Sequence, residues 1–320
     1  MDSPAVTVVV PGFDVAPYVG EALDSLRAQT RGDWVAILVD DGSTDATGTL
    51  FDAAAAADPR FRVVRHRNRR GLAAARNTAL ALVETPLVGF LDADDRFTPT
   101  ALERLVGTLE RSGSELAVGA YVRLRSDGAG GYTPGPVQPW VAEATHPART
   151  AIGLAEHPAL SGNIVAWSKV SRTDLWRRLG LRFPEGRLYE DQIVAQTLYT
   201  RARAIDVIPD VIVQWRERAD RSSITQRTDA LPVLVDYLDA LRGGIEVLER
   251  AGHPAAVQSR IALILTMDLP PLVRIGQRHP DAAYRRAVGA FVRDLWARAG
   301  SARGRLDETS ALLASAARLW

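Results

Sequence analysis

The sequence predicts an α/β protein in which a mostly parallel, doubly wound sheet is followed by a region made of helices alone. Strand and helix patterns alternate with short connections through residues 6–122, whereas the segment after Val213 turns to apolar residues at three-to-four spacing. Such alternation is typical of parallel strands joined by right-handed crossovers. We place the boundary near residues 223–231, and therefore expect a sheet domain over residues 1–225 and an α-helical C-terminal domain over residues 226–320.

Strands are predicted where short apolar runs lie between turn residues, and helices where apolar residues recur every three to four positions. The predicted strands are residues 6–10, 35–39, 61–64, 87–91 and 116–122. The predicted helices are residues 18–29, 45–57, 72–83, 99–111 and 193–200, and then residues 231–250, 255–267, 282–298 and 308–320. The segment 126–147 is rich in Gly and Pro, which predicts an irregular loop.

Composition limits the classes of partner. The 320 residues include 39 Lys and Arg against 38 Asp and Glu. The net charge is therefore close to zero and favours neither nucleic acid nor anionic lipid as a partner. The absence of cysteine excludes disulfides, thiolate metal sites and thiol nucleophiles. The N-terminus lacks the pattern of a signal peptide and no apolar stretch reaches spanning length, which together predict a soluble cytoplasmic protein.

Three carboxylates in four residues close the buried strand at 87–91. This segment, Leu91-Asp92-Ala93-Asp94-Asp95, is expected at the carboxyl edge of the sheet, where open α/β folds bind ligands. An oxygen-rich cluster suits Mg²⁺ or Mn²⁺, hard ions that are usually held by one or two carboxylates and the phosphates of a substrate. The expected ligand is therefore a nucleotide that carries phosphates.

A second acidic segment, Val39-Asp40-Asp41-Gly42-Ser43-Thr44-Asp45, ends the second strand. Its hydroxyl residues with Asp45 would start the next helix whatever the function, so capping is one interpretation. Asp40 and Asp41 are not needed for a cap, and they are expected at the same sheet edge as the first acidic cluster. One of them could accept a hydrogen bond from a nucleobase.

Four motifs follow one another along the chain: VVVPGFD at 8–14 with Tyr18-Val19, VDDGSTD at 39–45, NRRGLAAARN at 68–77 and LDADD at 91–95. In this order and at these distances they resemble family 2 glycosyltransferases, whose nucleotide-sugar-binding fold is called GT-A. The resemblance covers roughly residues 6–225. It extends to bacterial members that build cell-envelope polysaccharide and teichoic acid.

The resemblance implies a nucleobase pocket at the first two motifs. Pro11 and Phe13 would line it, and Asp41 would hold a uracil-type base with Asp40 beside it. Phe13 stands where the family commonly has Tyr, and Asp14 where it usually has Asn. Asp14 is expected on the donor side as well, and it could cap the helix that follows.

The other two motifs are implied to bind the ribose, the metal and the phosphates. Asp94 would lie toward the ribose and the metal, Asp95 would ligate the metal directly, and Asp92 would support them. The segment 68–77 combines a turn with a helix start, whose free backbone N–H groups could meet a phosphate. In the family the match to Arg76 lies near the donor's diphosphate. The alternative is a surface loop with solvated arginines.

A further acidic pair, Glu190-Asp191, precedes the predicted helix 193–200. Acids at a helix start favour the helix dipole, so a cap is the plain alternative. Together with Trp167-Ser168-Lys169, this segment resembles the family's acidic acceptor-side motif, which implies that Asp191 is the general base. Direct displacement needs such a carboxylate within hydrogen-bond reach of the acceptor hydroxyl. Glu190 and Trp167 are expected to bind or orient the acceptor.

The segment 215–225, WRERADRSSIT, holds three arginines in six residues. It resembles an Arg-x-x-x-x-Ser-Ile-Thr stretch of polysaccharide and teichoic-acid members, in which a loop closes over the diphosphate. Arg216, Arg221 and Ser223 are the expected donor contacts, and which of the arginines, Arg218 included, reaches a phosphate stays open. A solvated linker is the alternative.

These features predict an inverting, metal-dependent glycosyltransferase. It would move a sugar from a nucleotide-diphosphate donor, expected to be a UDP-sugar, to a hydroxyl of a cell-envelope glycan or polyol-phosphate acceptor. The alternatives are a sugar-nucleotide-binding module whose chemistry has lapsed and a metal-dependent phosphatase, although residues 92–96 miss the phosphatase motif. The helical region is predicted to present the acceptor or to form a homo-oligomer. Peripheral contact with the inner face of the membrane is a further expectation, and no nucleic acid partner is expected.

Overall fold

The computed structural model describes residues 3–218 and 228–320. The first hundred residues alternate strands and helices, as the apolar periodicity predicts. Their elements are β1 (Val6–Gly12), α1 (Ala16–Arg27), β2 (Trp34–Asp40), α2 (Thr47–Ala57), β3 (Phe61–Arg65), α3 (Leu72–Leu80), β4 (Leu87–Phe90), β5 (Arg96–Phe97) and α4 (Ala101–Ser112). The next elements are β6 (Leu116–Ser126), β7 (Tyr132–Val137), α5 (Pro139–Thr145), β8 (Arg149–Ile152), β9 (Lys169–Arg172), α6 (Thr173–Leu179), α7 (Asp191–Arg201) and β10 (Ile205–Arg216).

One sheet runs through this part in the order β3-β2-β1-β4-β9-β6-β10-β5, with β7 on β6 and β8 on β10. The half formed by β3, β2, β1 and β4 is entirely parallel, as predicted. Beyond β4 the sheet becomes mixed, because β9 lies antiparallel between β4 and β6. The sequence did not predict β5, β7, β8, β9 or β10. Most of these are short strands that pair with distant partners, and local periodicity carries little signal for such pairing.

The segment 126–147, predicted as an irregular loop, contains a hairpin and a helix. β7 pairs antiparallel with β6, and the turn between them has Gly128 and Gly130 at positive φ. The β7 sequence YTPGPV contains two prolines, which cannot donate to a ladder and are tolerated in an edge strand. The Pro and Gly content of this segment therefore predicted a loop where the structure has an edge strand.

The C-terminal region is helical, as predicted. Its elements are α8 (Leu231–Arg250), α9 (Pro254–Leu263), a π-helix (Ile264–Asp268), α10 (Leu269–Arg278), α11 (Ala282–Arg298), a 3-10 helix (Gly300–Arg305) and α12 (Glu308–Ala317). The prediction ended a helix at residue 267, yet α9, the π-helix and α10 are continuous. The two prolines that follow cannot donate the hydrogen bonds of a regular helix, and the π-turn before them accommodates this irregularity.

The continuous helix Pro254–Arg278 is long and apolar enough to cross a membrane by length and composition alone, which the sequence analysis did not anticipate. However, 61% of its most apolar window is buried within the protein. Its apolar residues, such as Ile261 and Leu265, belong to the hydrophobic core instead.

A single hydrophobic core joins the sheet to the helical region. α8 packs along α7, and α9 packs on a 3-10 helix at Pro158–Gly162. Gly243 permits the close approach of α8, because a Cβ there would lie 2.8 Å from the Ile193 side chain. The predicted domain boundary after residue 225 lies outside the described residues.

Candidate active site

The carboxyl ends of β1, β2 and β4 meet at one edge of the parallel half of the sheet. Gly12 lies opposite Asp40 in the β1–β2 register, and the Asp41 N–H donates to the Gly12 carbonyl at 2.9 Å. The Ala93 N–H donates to the Pro11 carbonyl at 3.3 Å. The structure therefore brings the first, second and fourth sequence motifs to one place.

Asp41 organises the loop before α3. Its carboxylate accepts hydrogen bonds from the backbone N–H groups of Arg70 at 2.9 Å and Gly71 at 2.7 Å, and it lies 2.6 Å from His66 Nδ1. His66 is buried and also contacts the Thr78 hydroxyl at 2.9 Å. His66 has no role predicted from the sequence, since a lone histidine carries no spacing signal. Both oxygens of Asp41 have protein partners, so its contact with a base would be an additional bond.

Asp40 has a capping geometry. Its carboxylate accepts from the Ser43 N–H at 2.9 Å and lies 3.5 Å from Arg65 Nε. The side chain is buried beneath Gly48, where an added Cβ would come within 2.5 Å of Asp40 Oδ2. This carboxylate therefore holds the turn after β2.

Asp14 does not cap the helix that follows it, contrary to one expectation. It has a φ of 48° and accepts from the Thr44 N–H at 2.7 Å, so it fixes the loop after β2. Asp45 instead accepts from the Ala16 N–H at the start of α1 and from the Thr47 N–H at the start of α2. The two loops therefore hold each other, and this pairing depends on the adjacency of β1 and β2.

Phe13 is half-buried at this edge, and Pro11 beside it is buried. The Arg69 guanidinium stacks over the Phe13 ring at 4.2 Å from its centroid. Arg69 is exposed and belongs to the 68–77 motif, in which it has no predicted role of its own. One face of the ring is therefore covered by an exposed cation.

Arg76 is a buried bridge between two parts of the site. Its Nη2 donates to Asp92 and its Nη1 donates to Glu190, each at 2.7 Å, while the residue is 1% exposed. The neighbouring Asn77 amide binds the Phe183 carbonyl at 2.8 Å. α3 thus ties the acidic cluster after β4 to the segment before α7. Arg76 is not a solvated loop residue, and both of its terminal nitrogens already contact carboxylates.

Asp95 is buried, and its two oxygens differ. Oδ1 accepts from the Arg216 N–H at 2.7 Å, whereas Oδ2 has no hydrogen-bond partner within residues 3–218 and 228–320. Burial raises the pKa of Asp95 well above its usual range, and the charges of Asp94 and Asp92 raise it further. A buried carboxylate oxygen without a partner costs free energy, which a cation would relieve.

These residues fit a divalent cation that takes few protein ligands. Asp95 Oδ2 and the carboxylate of Asp94 are hard oxygen donors, as Mg²⁺ and Mn²⁺ prefer. Among the described residues, no group of three or more His, Cys, Asp or Glu side chains has metal-site geometry. A cation here would therefore depend on ligands from a bound substrate.

Two arginines at the end of β10, Arg216 and Arg218, contact this cluster. The Arg216 Nε donates to the Asp94 carbonyl at 2.7 Å and its Nη2 donates to Glu21 at 2.8 Å, while Nη1 is buried with no partner in the described chain. The Arg218 Nε donates to Asp94 Oδ2 at 2.8 Å. Two predicted donor contacts, Arg221 and Ser223, lie outside the described residues.

The second acidic pair lies at the start of α7. Burial raises the pKa of Glu190 to about 7 against the opposing effect of Arg76, and burial also raises the pKa of Asp191. Asp191 lines a small cavity together with Lys169, whose buried Nζ donates to the Asn163 carbonyl at 2.8 Å. A carboxylate with a raised pKa is a stronger base, which suits proton abstraction near neutral pH.

Trp167 lies in the same region but is only 4% exposed. Its ring packs edge-on against Tyr121 at 4.8 Å and stacks on Trp215 at 6.5 Å. Trp215 is half-buried and lies under the Arg123 guanidinium at 5.1 Å. Trp167 therefore supports an aromatic surface from behind, and Trp215 is its more accessible member.

Comparison with known proteins relates part of this chain to one family. Residues 7–163 match the family model described as Glycosyl transferase family 2. The uncharacterized glycosyltransferase EpsJ of Bacillus subtilis is 29% identical over 215 residues, which are 67% of this chain and 61% of EpsJ. The putative teichuronic acid biosynthesis glycosyltransferase TuaG of the same organism is 30% identical over 125 residues, 39% of this chain and 50% of TuaG. The chain thus spans less than two thirds of these curated relatives.

The structural similarity to solved proteins covers more of this chain than the sequence matches do. S. aureus TarS 1-349 in complex with UDP-GlcNAc has a TM-score of 0.72 at 18% identity, covering 98% of this chain and 92% of that one. The mannosyltransferase PcManGT from Pyrobaculum calidifontis, in complex with GDP-Man and Mn²⁺, has a TM-score of 0.52 at 18% identity, covering 99% and 88%. These similarities confirm the predicted fold class, a GT-A fold followed by a helical region.

Proposed function

Residues 7–163 match glycosyl transferase family 2, and from this premise we propose that the chain is an inverting, metal-dependent glycosyltransferase. One observation carries the proposal. Asp95 keeps a buried, unpartnered carboxylate oxygen in the acidic cluster after β4, and Arg76 connects that cluster directly to the Glu190–Asp191 pair. A site for a leaving diphosphate and a site for a general base would then belong to one rigid unit.

The donor would bind across the carboxyl edge of the parallel strands. We assign the nucleobase to the pocket of Pro11 and Phe13, where Arg69 would move off the ring, with Asp41 as a further contact. A UDP-sugar is favoured, since TarS 1-349 is known in complexes with UDP and with UDP-GlcNAc. The diphosphate would lie beneath Arg216, whose Nη1 is a buried donor without a partner in the described residues.

Asp95 with Asp94 would hold Mg²⁺ or Mn²⁺. When bound, the cation supplies positive charge at the leaving diphosphate. The raised pKa of Asp95 means that its charged form is costly while no cation is present. Arg218, which donates to Asp94 Oδ2, would orient that carboxylate.

Asp191 would accept the proton of the acceptor hydroxyl. Displacement from the face opposite the leaving diphosphate inverts the anomeric carbon, and positioning with charge stabilisation would supply most of the acceleration. Glu190, held by Arg76, would orient the acceptor. We propose a cell-envelope glycan or polyol phosphate as acceptor, in keeping with the similarity to TuaG, a putative teichuronic acid biosynthesis glycosyltransferase.

The test is a panel of UDP-GlcNAc, UDP-glucose, UDP-galactose and GDP-mannose with Mn²⁺ or Mg²⁺, in which release of the nucleotide is measured with and without candidate glycan acceptors. One donor should be consumed faster than the rest, and NMR of the transferred sugar should show inversion. Asp191→Asn is the matched control and should lose turnover. Tight binding of UDP without consumption of any donor would favour the lapsed binding module.

A further inference from the structure

The residues on both sides of the Glu190–Asp191 pair are held by the helical region. Before the pair, the ring of Tyr189 packs on the ring of Tyr237 from α8, with 4.4 Å between centroids. After the pair, the Gln192 side-chain oxygen accepts from Arg260 Nη2 of α9 at 3.2 Å. α8 and α9 therefore contact the two residues that flank the acidic pair.

The two contacts are joined behind the segment by Asp268, the last residue of the π-helix. The Tyr237 hydroxyl donates to Asp268 Oδ1 at 2.7 Å, and Arg260 Nη2 lies 3.4 Å from Asp268 Oδ2. We call Tyr237, Arg260 and Asp268 the helical clamp. It draws on three successive elements of the C-terminal region, and π-turns of this kind often occur at functional sites.

The backbone held by this clamp needs support from outside. Tyr189 has a φ of 59°, a left-handed conformation that is costly for a residue other than glycine and persists only where its surroundings impose it. The N-cap residue of α7, Glu190, makes no side-chain capping hydrogen bond within the described chain. Asp236 of α8 instead accepts from the Leu188 N–H at 3.1 Å. The direction in which Asp191 leaves this turn is thus set by the helical region.

Stability alone does not explain this arrangement. Arg260 is 2% exposed, and its Nη1 and the hydroxyl of Tyr189 are buried without hydrogen-bond partners in the described residues. A buried ion pair is often no better for stability than well-packed apolar residues, and an incompletely satisfied network is worse. Apolar packing between α7 and α8 already supplies the cohesion of this interface.

We propose that the helical clamp of Tyr237, Arg260 and Asp268 consists of positioning residues that set the geometry of Glu190 and Asp191 for the acceptor. This inference rests on the proposed function, in which Asp191 is the general base. It assigns the C-terminal helices a part in the catalytic geometry in addition to any role in association or acceptor presentation.

The experiment is a double-mutant cycle between Arg260→Met and Asp191→Asn in the full chain. Turnover is measured in the presence of a candidate glycan acceptor, with whichever of UDP-GlcNAc, UDP-glucose, UDP-galactose and GDP-mannose is consumed fastest, and affinity for UDP is measured by calorimetry. Arg260→Met should lower kcat by about tenfold to a hundredfold and change UDP affinity by less than about twofold. In the Asp191→Asn background the same change should alter the residual turnover by less than about twofold, because residues that act through one group are not additive.

Two further variants separate positioning from folding. Tyr237→Phe keeps the ring contact and removes only the hydroxyl bond to Asp268, so it should fold and lower kcat by a few fold. Arg298→Met, which removes partly exposed pairs with Glu249 and Asp294 in the same helical region, is the matched control and should leave kcat unchanged.

Each outcome has a distinct meaning. Equal losses from Arg260→Met in both backgrounds, or unchanged kcat in both Arg260→Met and Tyr237→Phe, would overturn the clamp while leaving the proposed function standing. Full turnover in Asp191→Asn would overturn the base assignment, and the clamp with it. Failure of Arg260→Met to fold leaves Tyr237→Phe to decide, and an unchanged kcat in that variant would count against the clamp.

Discussion

Replacing Arg76 with methionine should destabilise the protein in a way that depends on pH. The substitution keeps the volume of the side chain but removes the shared partner of Asp92 and Glu190, each now 2.7 Å from a guanidinium nitrogen. Breaking a buried ion pair from one side costs about 3–5 kcal/mol. The side chain of Asp92 is 23% exposed and can be hydrated, whereas that of Glu190 is 5% exposed and cannot. We therefore expect Arg76→Met to lower the free energy of unfolding at pH 8 by about 3 kcal/mol, near the lower end of this range.

The pH dependence follows from the Glu190 carboxyl, which loses its ion-pair partner in this variant. Burial already raises the pKa of Glu190 to about 7, and Arg76 opposes that rise. Without Arg76 the pKa of Glu190 rises further, so the folded variant binds a proton at pH values where the folded wild type has released it. When the pKa of a carboxyl is higher in the folded state than in the unfolded state, its protonation stabilises the protein at low pH. This contribution to the free energy of unfolding is lost as the pH rises through the pKa of the folded state. The loss caused by Arg76→Met should thus be larger at pH 8 than at pH 6.

Urea unfolding of both proteins at pH 6 and pH 8 measures this difference. Arg250→Met, which removes an exposed pair with Glu246 at i,i+4 spacing, is the control and should cost less than about 0.5 kcal/mol at either pH. A loss below about 1 kcal/mol at pH 8, or a larger loss at pH 6 than at pH 8, would refute the view that Arg76 holds a charged, buried Glu190.

The site makes three further predictions. Asp95→Asn should reduce the Mn²⁺-dependent affinity for UDP at least about tenfold. Its thermal stability should be unchanged or raised, because the substitution removes a desolvated charge. Equal UDP affinity of the variant and the wild type at limiting metal would reject Asp95 as the ligand. Asp191→Asn should lower kcat about a hundredfold or more with near-normal UDP affinity, and poor donor binding with normal kcat would make the acidic pair a binding or capping element. Asp41→Ala should weaken nucleotide binding and also lower stability, since it frees the N–H groups of Arg70 and Gly71; a stability loss with unchanged nucleotide affinity would restrict Asp41 to loop structure.

Local patterns were sufficient for the parallel half of the sheet. Strands such as β1 and β4 are continuous apolar runs buried on both faces, and the helices between them repeat at three-to-four spacing. The same rule placed the acidic segments correctly, because the carboxyl ends of adjacent parallel strands must meet at one edge. The position of this edge site is therefore encoded in the order of elements.

Pairing between distant segments was beyond the reach of the sequence. β9 inserts between β4 and β6, about eighty residues after β4, and nothing in its four residues specifies those neighbours. The roles of single side chains were hidden for the same reason. Arg76 resembled a phosphate contact in the motif, and only the packing of α3 against the segment before α7 joined it to Glu190.

The sequence by itself determined the fold class, the resemblance to a family and the edge of the sheet at which the acidic motifs lie, since each depends on periodicity and on residues close together in the chain. Only the tertiary structure decided how the acidic pair before α7 is held. Tyr237, Arg260 and Asp268 are separated from Asp191 by 46 to 77 positions in the chain, and no periodic signal links them to it. Their contacts exist because the helical region buries its apolar faces against the sheet domain, and that burial is a property of the assembled core.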